Sequence, residues 1–215
     1  MTYTVIARCP RTGRLGIGSA SYTLAIGAHC DGAVRPNVGA TMTQGAPLPR
    51  NNRLAVNSLA QGSTPRLALS ILEQNDSHYA YRQIAIVDRE GSAVSHTGAR
   101  VRPVCGQRMG DGYVALGSML AGVNVLDALV AEFESDAQAD LEDRLLRALE
   151  AGRDAGGLQG SHGPLQERSV ALVVWGTQDY SDIDLRVDLQ DGAIAQLRRM
   201  YADYKPTAAY YEERA

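Results

Sequence analysis

Hydrophobic and polar positions alternate along the first part of the chain, and the alternation predicts two paired strands. Residues 3–8 alternate in this way, Pro10 and Gly13 mark a turn, and a strand of small residues follows at 15–21. After a glycine-rich connection, residues 38–43 predict a third short strand, which ends before Pro47. The chain is therefore expected to begin with an antiparallel hairpin and one further strand.

Apolar residues recur at helical spacing further along, in two pairs of segments. The first pair is predicted at 51–61 and after Ser63 or Thr64, either of which suits a helix N-cap with Pro65 in the first turn. The second pair is predicted at 123–134 and 140–153. The other segments are predicted as strands at 82–87, 92–96, 113–117, 169–175 and 183–187, a loop at 158–167 and a last helix at 193–201.

The order of these elements indicates the fold class. Helices come in pairs between groups of strands and do not alternate one by one with them, which argues against a doubly wound parallel sheet. We predict an α+β fold, in which two stacked antiparallel sheets are covered by the helix pairs to give a four-layer α-β-β-α sandwich. No shift in composition divides the chain, so residues 1–205 are predicted to form a single domain and residues 206–215 a polar C-terminal tail.

Composition excludes several functional classes. The 215 residues carry a net charge of −3, which gives no footprint for nucleic acid, and no apolar run approaches the length that spans a membrane. The N-terminus lacks the pattern of a secretory signal and the three cysteines form no CxxC pair, so we expect a cytoplasmic protein with reduced thiols. The four histidines lack the spacing typical of metal ligands, and we expect neither a metal nor an organic cofactor.

The candidate nucleophile is Thr2, which lies directly behind Met1 at the start of the first predicted strand. If Met1 is removed, Thr2 carries a free amine and a hydroxyl on adjacent carbons. The hydroxyl can then attack a carbonyl while the amine takes its proton. Threonine also suits a strand for purely structural reasons. Position alone therefore leaves both interpretations open.

Other polar residues are candidates for supporting roles. Ser21 ends the second strand, and antiparallel pairing places it beside the start of the first. Gln44 ends the third strand with donor hydrogens that can hold an oxyanion, and Arg35 can supply a fixed positive charge near the amine or a substrate carboxylate. The predicted substrate-binding residues are Thr43, His96 and Ser118.

Five segments occur in an order that resembles one known family. They are residues 2–8, 21–28, 35–44, 110–122 and 183–188. Together they resemble the bacterial and archaeal family called domain of unknown function 1028, which is grouped with the N-terminal-nucleophile (Ntn) hydrolases and whose fold resembles a proteasome subunit. The resemblance implies the layered sandwich, Thr2 as nucleophile, Ser21 as a supporting polar residue and Arg35 near the place of a supporting lysine.

Two hypotheses for function remain. The first is an Ntn-type amidohydrolase that cleaves an amide bond in a small peptide or an acylated amino acid. Its predicted catalytic residues are Thr2, Ser21, Arg35 and Gln44. The alternative is a non-catalytic Ntn-like module that retains Met1 and serves in ligand binding or assembly, and a weaker third hypothesis uses Cys30 beside His29 as a thiol nucleophile. We expect a small molecule or peptide as partner, no nucleic acid or membrane, and a homodimer.

Overall fold

The computed structural model describes residues 1–212, and these contain twelve strands and five helices. The strands are β1 (Thr2–Arg8), β2 (Leu15–Ser21), β3 (Val34–Arg35), β4 (Gly39–Gly45), β5 (Arg82–Asp88), β6 (Ala93–Thr97), β7 (Cys105–Gly110), β8 (Tyr113–Ser118), β9 (Leu158–Gly160), β10 (Gly163–Leu165), β11 (Ser169–Trp175) and β12 (Ser181–Val187). The helices are α1 (Pro49–Ala60), α2 (Pro65–Asn75), α3 (Asn124–Glu134), α4 (Leu141–Asp154) and α5 (Ala193–Glu212).

The strands form two main antiparallel sheets. The larger sheet has the order β12-β11-β2-β1-β8-β7, with β1 between β2 and β8 at its centre. The smaller sheet has the order β3-β4-β5-β6, and β9 and β10 form a separate two-stranded ribbon. The predicted mixture of helices with antiparallel sheets is therefore confirmed, as is the opening hairpin.

Strand β1 shows how alternation divides the core. Tyr3, Val5 and Ala7 belong to the cluster that also contains apolar residues of α3, α4 and α5. Ile6 belongs instead to the cluster between the two sheets. Successive side chains of a strand point to opposite faces, so Thr2 lies on the same face as Ile6. The candidate nucleophile therefore faces the smaller sheet.

Helix α4 packs closely on the larger sheet because β2 presents glycines to it. A Cβ atom at Gly16 would lie 2.8 Å from Leu145 Cδ1, and one at Gly18 would lie 3.3 Å from Leu145 Cβ. The alternate residues Leu15 and Ile17 are buried in the cluster between the sheets. Small and large residues thus alternate along β2 because a helix covers one face and a second sheet covers the other.

Helices α1 and α2 cover the outer face of the smaller sheet. Leu59 of α1 and Leu72 of α2 are buried in one cluster with Ile84 and Ile86 of β5. Ala85, between these two isoleucines, lies in the cluster that joins the sheets. Successive residues of β5 therefore contact helices on one face of the smaller sheet and the apolar cluster shared with the larger sheet on the other.

Most predicted elements are confirmed close to their predicted bounds, but the short strand β3, strand β7 and the segment 158–167 differ. Strand β7 was not predicted, because its residues are small, polar or half-buried at an edge and carry no clear alternation. The segment 158–167, predicted as a loop, contains the short paired strands β9 and β10, and a bridge between Leu120 and Leu158 ties β9 to the segment after β8.

The last helix is longer than predicted. It continues through Pro206 to Glu212, so the predicted polar tail is helical as far as the structure describes it, and residues 213–215 lie outside the described part. Tyr204 donates to the carbonyl oxygen of Asp182 at 2.6 Å, and Lys205 forms an ion pair with Asp140 at 2.8 Å. These contacts extend the helix beyond its apolar segment. Within residues 1–212, none of the helices is long and apolar enough to cross a membrane.

Candidate active site

A row of hydroxyl side chains crosses the larger sheet at the end where β1 begins. Thr2 is paired with Ser21 of β2 and with Ser118 of β8, and Ser21 is paired in turn with Ser169 of β11. Each of these residues is the first or last of its strand, because antiparallel neighbours bring the start of one strand beside the end of the next. Directly paired residues share a face, so the whole row faces the smaller sheet with Thr2.

The hydroxyl of Thr2 is held by Ser21. Thr2 Oγ1 lies 2.9 Å from Ser21 Oγ, which in turn donates to the carbonyl oxygen of Met1 at 2.8 Å. Ser21 Oγ also lies 2.8 Å from Thr23 Oγ1, and either hydroxyl can donate in each of these two hydroxyl pairs. The Tyr22 amide also donates to the Met1 carbonyl at 3.1 Å, and the Thr23 amide donates to Ser21 Oγ at 3.1 Å. The turn after β2 thus fixes Ser21, and Ser21 in turn holds Thr2 Oγ1 in place.

A buried hydrogen-bonded network supports β1 from the smaller sheet. Thr4 Oγ1 lies 2.7 Å from Ser19 Oγ and donates to Gln44 Oε1 at 2.7 Å. Gln44 Nε2 donates to Gln83 Oε1 at 3.1 Å and to the carbonyl oxygen of Thr2 at 3.4 Å. Both ends of the Gln44 amide are therefore engaged. This residue fixes the backbone of Thr2 instead of presenting a free donor to a substrate.

Gln83 extends the same network to the far strands of the larger sheet. Its Nε2 atom lies 2.9 Å from the carbonyl oxygen of Gly117, 3.1 Å from that of Gly106 and 3.2 Å from Thr97 Oγ1. The side chain is completely buried. At this end the two sheets are thus joined by satisfied polar contacts, which specify one arrangement because an unpaired partner in such a place is costly.

A cavity of about 340 Å³ adjoins the start of β1. Its lining includes Met1, Tyr81, Arg100, Arg102, Ser118 and Met119. Thr2 itself is 5% exposed and does not line the cavity. Met1, the residue before Thr2, therefore lies in the wall of the cavity, whereas Thr2 is covered.

The N-terminal amine of Met1, beside the start of β1, has a lowered pKa. Burial and, secondly, the positive charge of Arg102 lower the pKa of the Met1 amine from 8.0 to about 6. Such an amine is mostly unprotonated at neutral pH. The environment is therefore suited to an amine that accepts a proton.

The structure brings Ser21, Gln44 and Ser118 together with Thr2, but not Arg35. Arg35 is exposed and is paired with Gly39, five residues along β4 from Gln44, which corresponds to roughly 17 Å along the strand. The guanidinium that acts on the N-terminal amine belongs to Arg102, in the loop before β7. No periodicity marks that loop, and only the pairing of β7 with β8 brings it to this end of the sheet.

Thr43 and His96 lie on the other face of the smaller sheet. Both flank Ile84 in neighbouring strands, and Ile84 faces helices α1 and α2. The His96 ring stacks on Tyr79 with 3.9 Å between ring centroids, and burial lowers its pKa. Neither predicted substrate-binding residue lines the cavity beside Met1, because alternation along β4 and β6 turns both side chains away from it.

Cys30 does not have the environment of a nucleophile. Its side chain is buried in the cluster between the sheets, and burial raises the pKa of its thiol to about 12. The thiolate is therefore not available near neutral pH, which argues against the third hypothesis. Among residues 1–212 there is also no group of three or more histidine, cysteine or carboxylate side chains that would hold a metal ion.

Comparisons with known proteins show the family. The chain belongs to the family described as "Family of unknown function (DUF1028)", whose model matches residues 2–197, so the resemblance predicted from the sequence is confirmed. The crystal structure of protein SPO2555 from Silicibacter pomeroyi, which has the same family designation, is 30% identical. That alignment covers 94% of this chain and 88% of the other, with a TM-score of 0.82. Anbu from Hyphomicrobium sp. strain MC1 aligns over 99% of both chains at 10% identity with a TM-score of 0.42. The comparison with curated proteins gives no match.

Proposed function

We propose that this protein is an Ntn-type amidohydrolase that cleaves an amide bond in a small peptide or an acylated amino acid, with Thr2 as nucleophile after removal of Met1. The observation that carries the proposal is the position of the Thr2 hydroxyl, which lies at the start of a central strand within hydrogen-bond distance of Ser21. The cavity and the amine of lowered pKa lie at the same strand end. We further propose that the sheets and helices form the four-layer sandwich of the Ntn hydrolases.

In the proposed reaction, Thr2 Oγ1 forms a bond to the carbonyl carbon of the substrate while its proton passes to the α-amine of Thr2. The amine gives that proton to the leaving nitrogen as the carbon–nitrogen bond breaks, which leaves an ester on Thr2. Water then attacks the ester. The amine takes a proton from the water and returns it to Thr2 Oγ1 as the carbon–oxygen bond breaks, so that a carboxylic acid is released and the enzyme is restored.

The neighbouring residues have distinct parts in this proposal. Ser21 orients the hydroxyl, Gln44 fixes the backbone of Thr2, and Arg102 supplies the positive charge that the sequence analysis assigned to Arg35. The hydroxyl of Ser21 and the amide of Tyr22 hold the Met1 carbonyl, and both donors are released when Met1 leaves. We propose that they then stabilise the oxyanion of the substrate, in place of Gln44.

Met1 itself supports a second candidate function. A chain that retains Met1 has no free amine on Thr2, and the Thr2 residue stays 5% exposed. Such a protein would use the cavity for ligand binding without catalysis. The retained or removed state of Met1 thus separates the two proposals.

The experiment begins with the intact mass of the native protein, which shows whether Met1 is present. Protein that begins at Thr2, made where needed by cleaving a leader directly before it, is then assayed on a panel of N-acyl amino acid amides and short peptides. Thr2→Ala is expected to lower turnover by about 10⁴-fold or more, whereas Thr2→Ser retains part of it. The exposed Thr177→Ala is the matched control, with unchanged turnover. Met1 retained in the whole native population, or turnover by Thr2→Ala equal to that of the parent, contradicts the proposed hydrolase.

A further inference from the structure

Arg102 and Met119 stand between two cavities. Both residues line the cavity beside Met1, and both line a second cavity of about 420 Å³. Arg102 Nη1 lies 3.9 Å from Met119 Sδ. The two cavities therefore adjoin at this pair, and we call the two together the groove.

The first cavity is positively charged. Its ten lining residues include Arg100 and Arg102 but no aspartate or glutamate. Arg100 is oriented by Tyr81, to whose hydroxyl it donates at 2.7 Å. Among the ion pairs of residues 1–212, none involves either of these guanidinium groups. Arg102 thus keeps donors for a ligand at the place where the two cavities meet.

The second cavity is mainly apolar. Pro103, Val104, Leu120 and Ala121 contribute to its wall, and Val104 is exposed. Met119, on its border, has a φ of 55°, a left-handed conformation that residues with side chains rarely adopt. Backbone strain of this kind persists mainly at functional sites, so it points to the same place as the cavities, from a separate observation.

We propose that this groove binds an amide substrate that carries a carboxylate near the scissile bond and an aliphatic group beyond it. The carboxylate pairs with Arg102, and the aliphatic group enters the second cavity. The inference deepens the proposed hydrolase and rests on it for the cleavage step alone, because binding needs no free Thr2.

The residues that line the two cavities favour this class of substrate. A guanidinium is planar and pairs with a carboxylate through two parallel N–H···O bonds, which fixes the orientation of the ligand as well as holding it. The mainly apolar lining of the second cavity favours binding of an aliphatic group over a polar one. The expected ligand is therefore charged at one end and aliphatic at the other, with Arg102 and Met119 at the junction.

Binding is measured by calorimetric titration of Thr2→Ala protein, which cannot turn the probes over. The probes are N-acetyl-leucine, its neutral amide N-acetyl-leucinamide, N-acetylglycine and inorganic phosphate. N-acetyl-leucine is expected to bind about tenfold more tightly than its amide, and about tenfold more tightly than N-acetylglycine. In Arg102→Gln the preference for the acid disappears while the preference for leucine over glycine remains. Arg66→Gln, an exposed arginine on α2, is the matched control and keeps both preferences.

Equal affinity for the acid and its amide, or an unchanged preference in folded Arg102→Gln protein, overturns the inference. So does phosphate that displaces N-acetyl-leucine at equal concentration, since that result shows a general anion site. If turnover fails while these affinities hold, the hydrolase is wrong and the groove stands. If turnover succeeds without a preference for acids, the groove is wrong and the hydrolase stands.

Discussion

Chemical labelling of the N-terminal amine measures the environment of the candidate site directly. The chain has a single lysine, Lys205, so an acylating reagent meets only two amines. The hydrogen bond from Lys205 to Asp140 raises the lysine pKa, which keeps that amine protonated at neutral pH. With a pKa of about 6, the Met1 amine is about nine-tenths unprotonated at pH 7, whereas an amine at the ordinary 8.0 is about one-tenth unprotonated. The unprotonated fraction available to the label at pH 7 is therefore about tenfold larger at the N-terminus than at an unperturbed α-amine, and very small at the lysine.

The perturbation that tests the cause is Arg102→Gln. Removing the positive charge should raise the midpoint of the labelling rate from about 6 towards 8.0 without reaching it, because burial is the larger cause and remains. The assay follows labelling by peptide mass from about pH 5 to 9, and the same spectra show whether the labelled residue is Met1 or Thr2. Arg66→Gln again serves as the control.

A midpoint near 8.0 in the parent protein would refute the burial of this amine. A midpoint that does not move in Arg102→Gln would refute the assignment of Arg102 as the neighbouring charge. The same group affects stability, because the folded amine binds a proton less readily than the unfolded one. Its contribution is fully present above about pH 8 and is lost as the pH falls through about 6.

Three other changes test the packing around the site. Gln83→Ala should lower the free energy of unfolding by about 3 kcal/mol, because it removes a buried amide that joins the sheets, while the exposed Gln74→Ala changes it by less than about 0.5 kcal/mol in urea unfolding. The hydrogen bond from Arg82 lowers the pKa of Asp76 to about 2, so its carboxylate stabilises the fold above about pH 4 and ceases to do so as the pH falls through about 2. Accordingly, Asp76→Asn should lower the free energy of unfolding by about 3 kcal/mol at pH 7 and should weaken its dependence on pH in the acid range. Cys30 should react with a thiol reagent only after unfolding, since its thiol is buried with a pKa raised to about 12.

Each of these expectations has a contrary outcome. Equal losses in Gln83→Ala and Gln74→Ala would mean that the polar network between the sheets contributes nothing to stability. If the pH dependence of stability in acid is the same in Asp76→Asn as in the parent protein, Asp76 does not contribute to acid unfolding. Rapid labelling of Cys30 in the native protein would return the thiol to consideration as a nucleophile.

Local pattern predicted most of the elements and part of the site. The buried run at 169–175 is strand β11, and Thr64 is the N-cap of α2, where its side chain accepts from the Leu67 amide at 3.3 Å. The sequence also allowed Thr2 to lie beside Ser21, because a hairpin pairs the start of one strand with the end of the other, and the structure shows this pair. These features depend on residues that are near one another in the chain.

The tertiary structure decided which way side chains point and which distant segments lie together. Alternation states that Thr43 and Gln44 point to opposite faces, but only the stacking of the two sheets determines that Gln44 supports Thr2 and Thr43 faces the helices. An arginine in an irregular loop has no periodic signal at all. Arg102 rather than Arg35 reaches the N-terminal amine because β7 pairs with β8, a contact whose partner a local pattern does not specify.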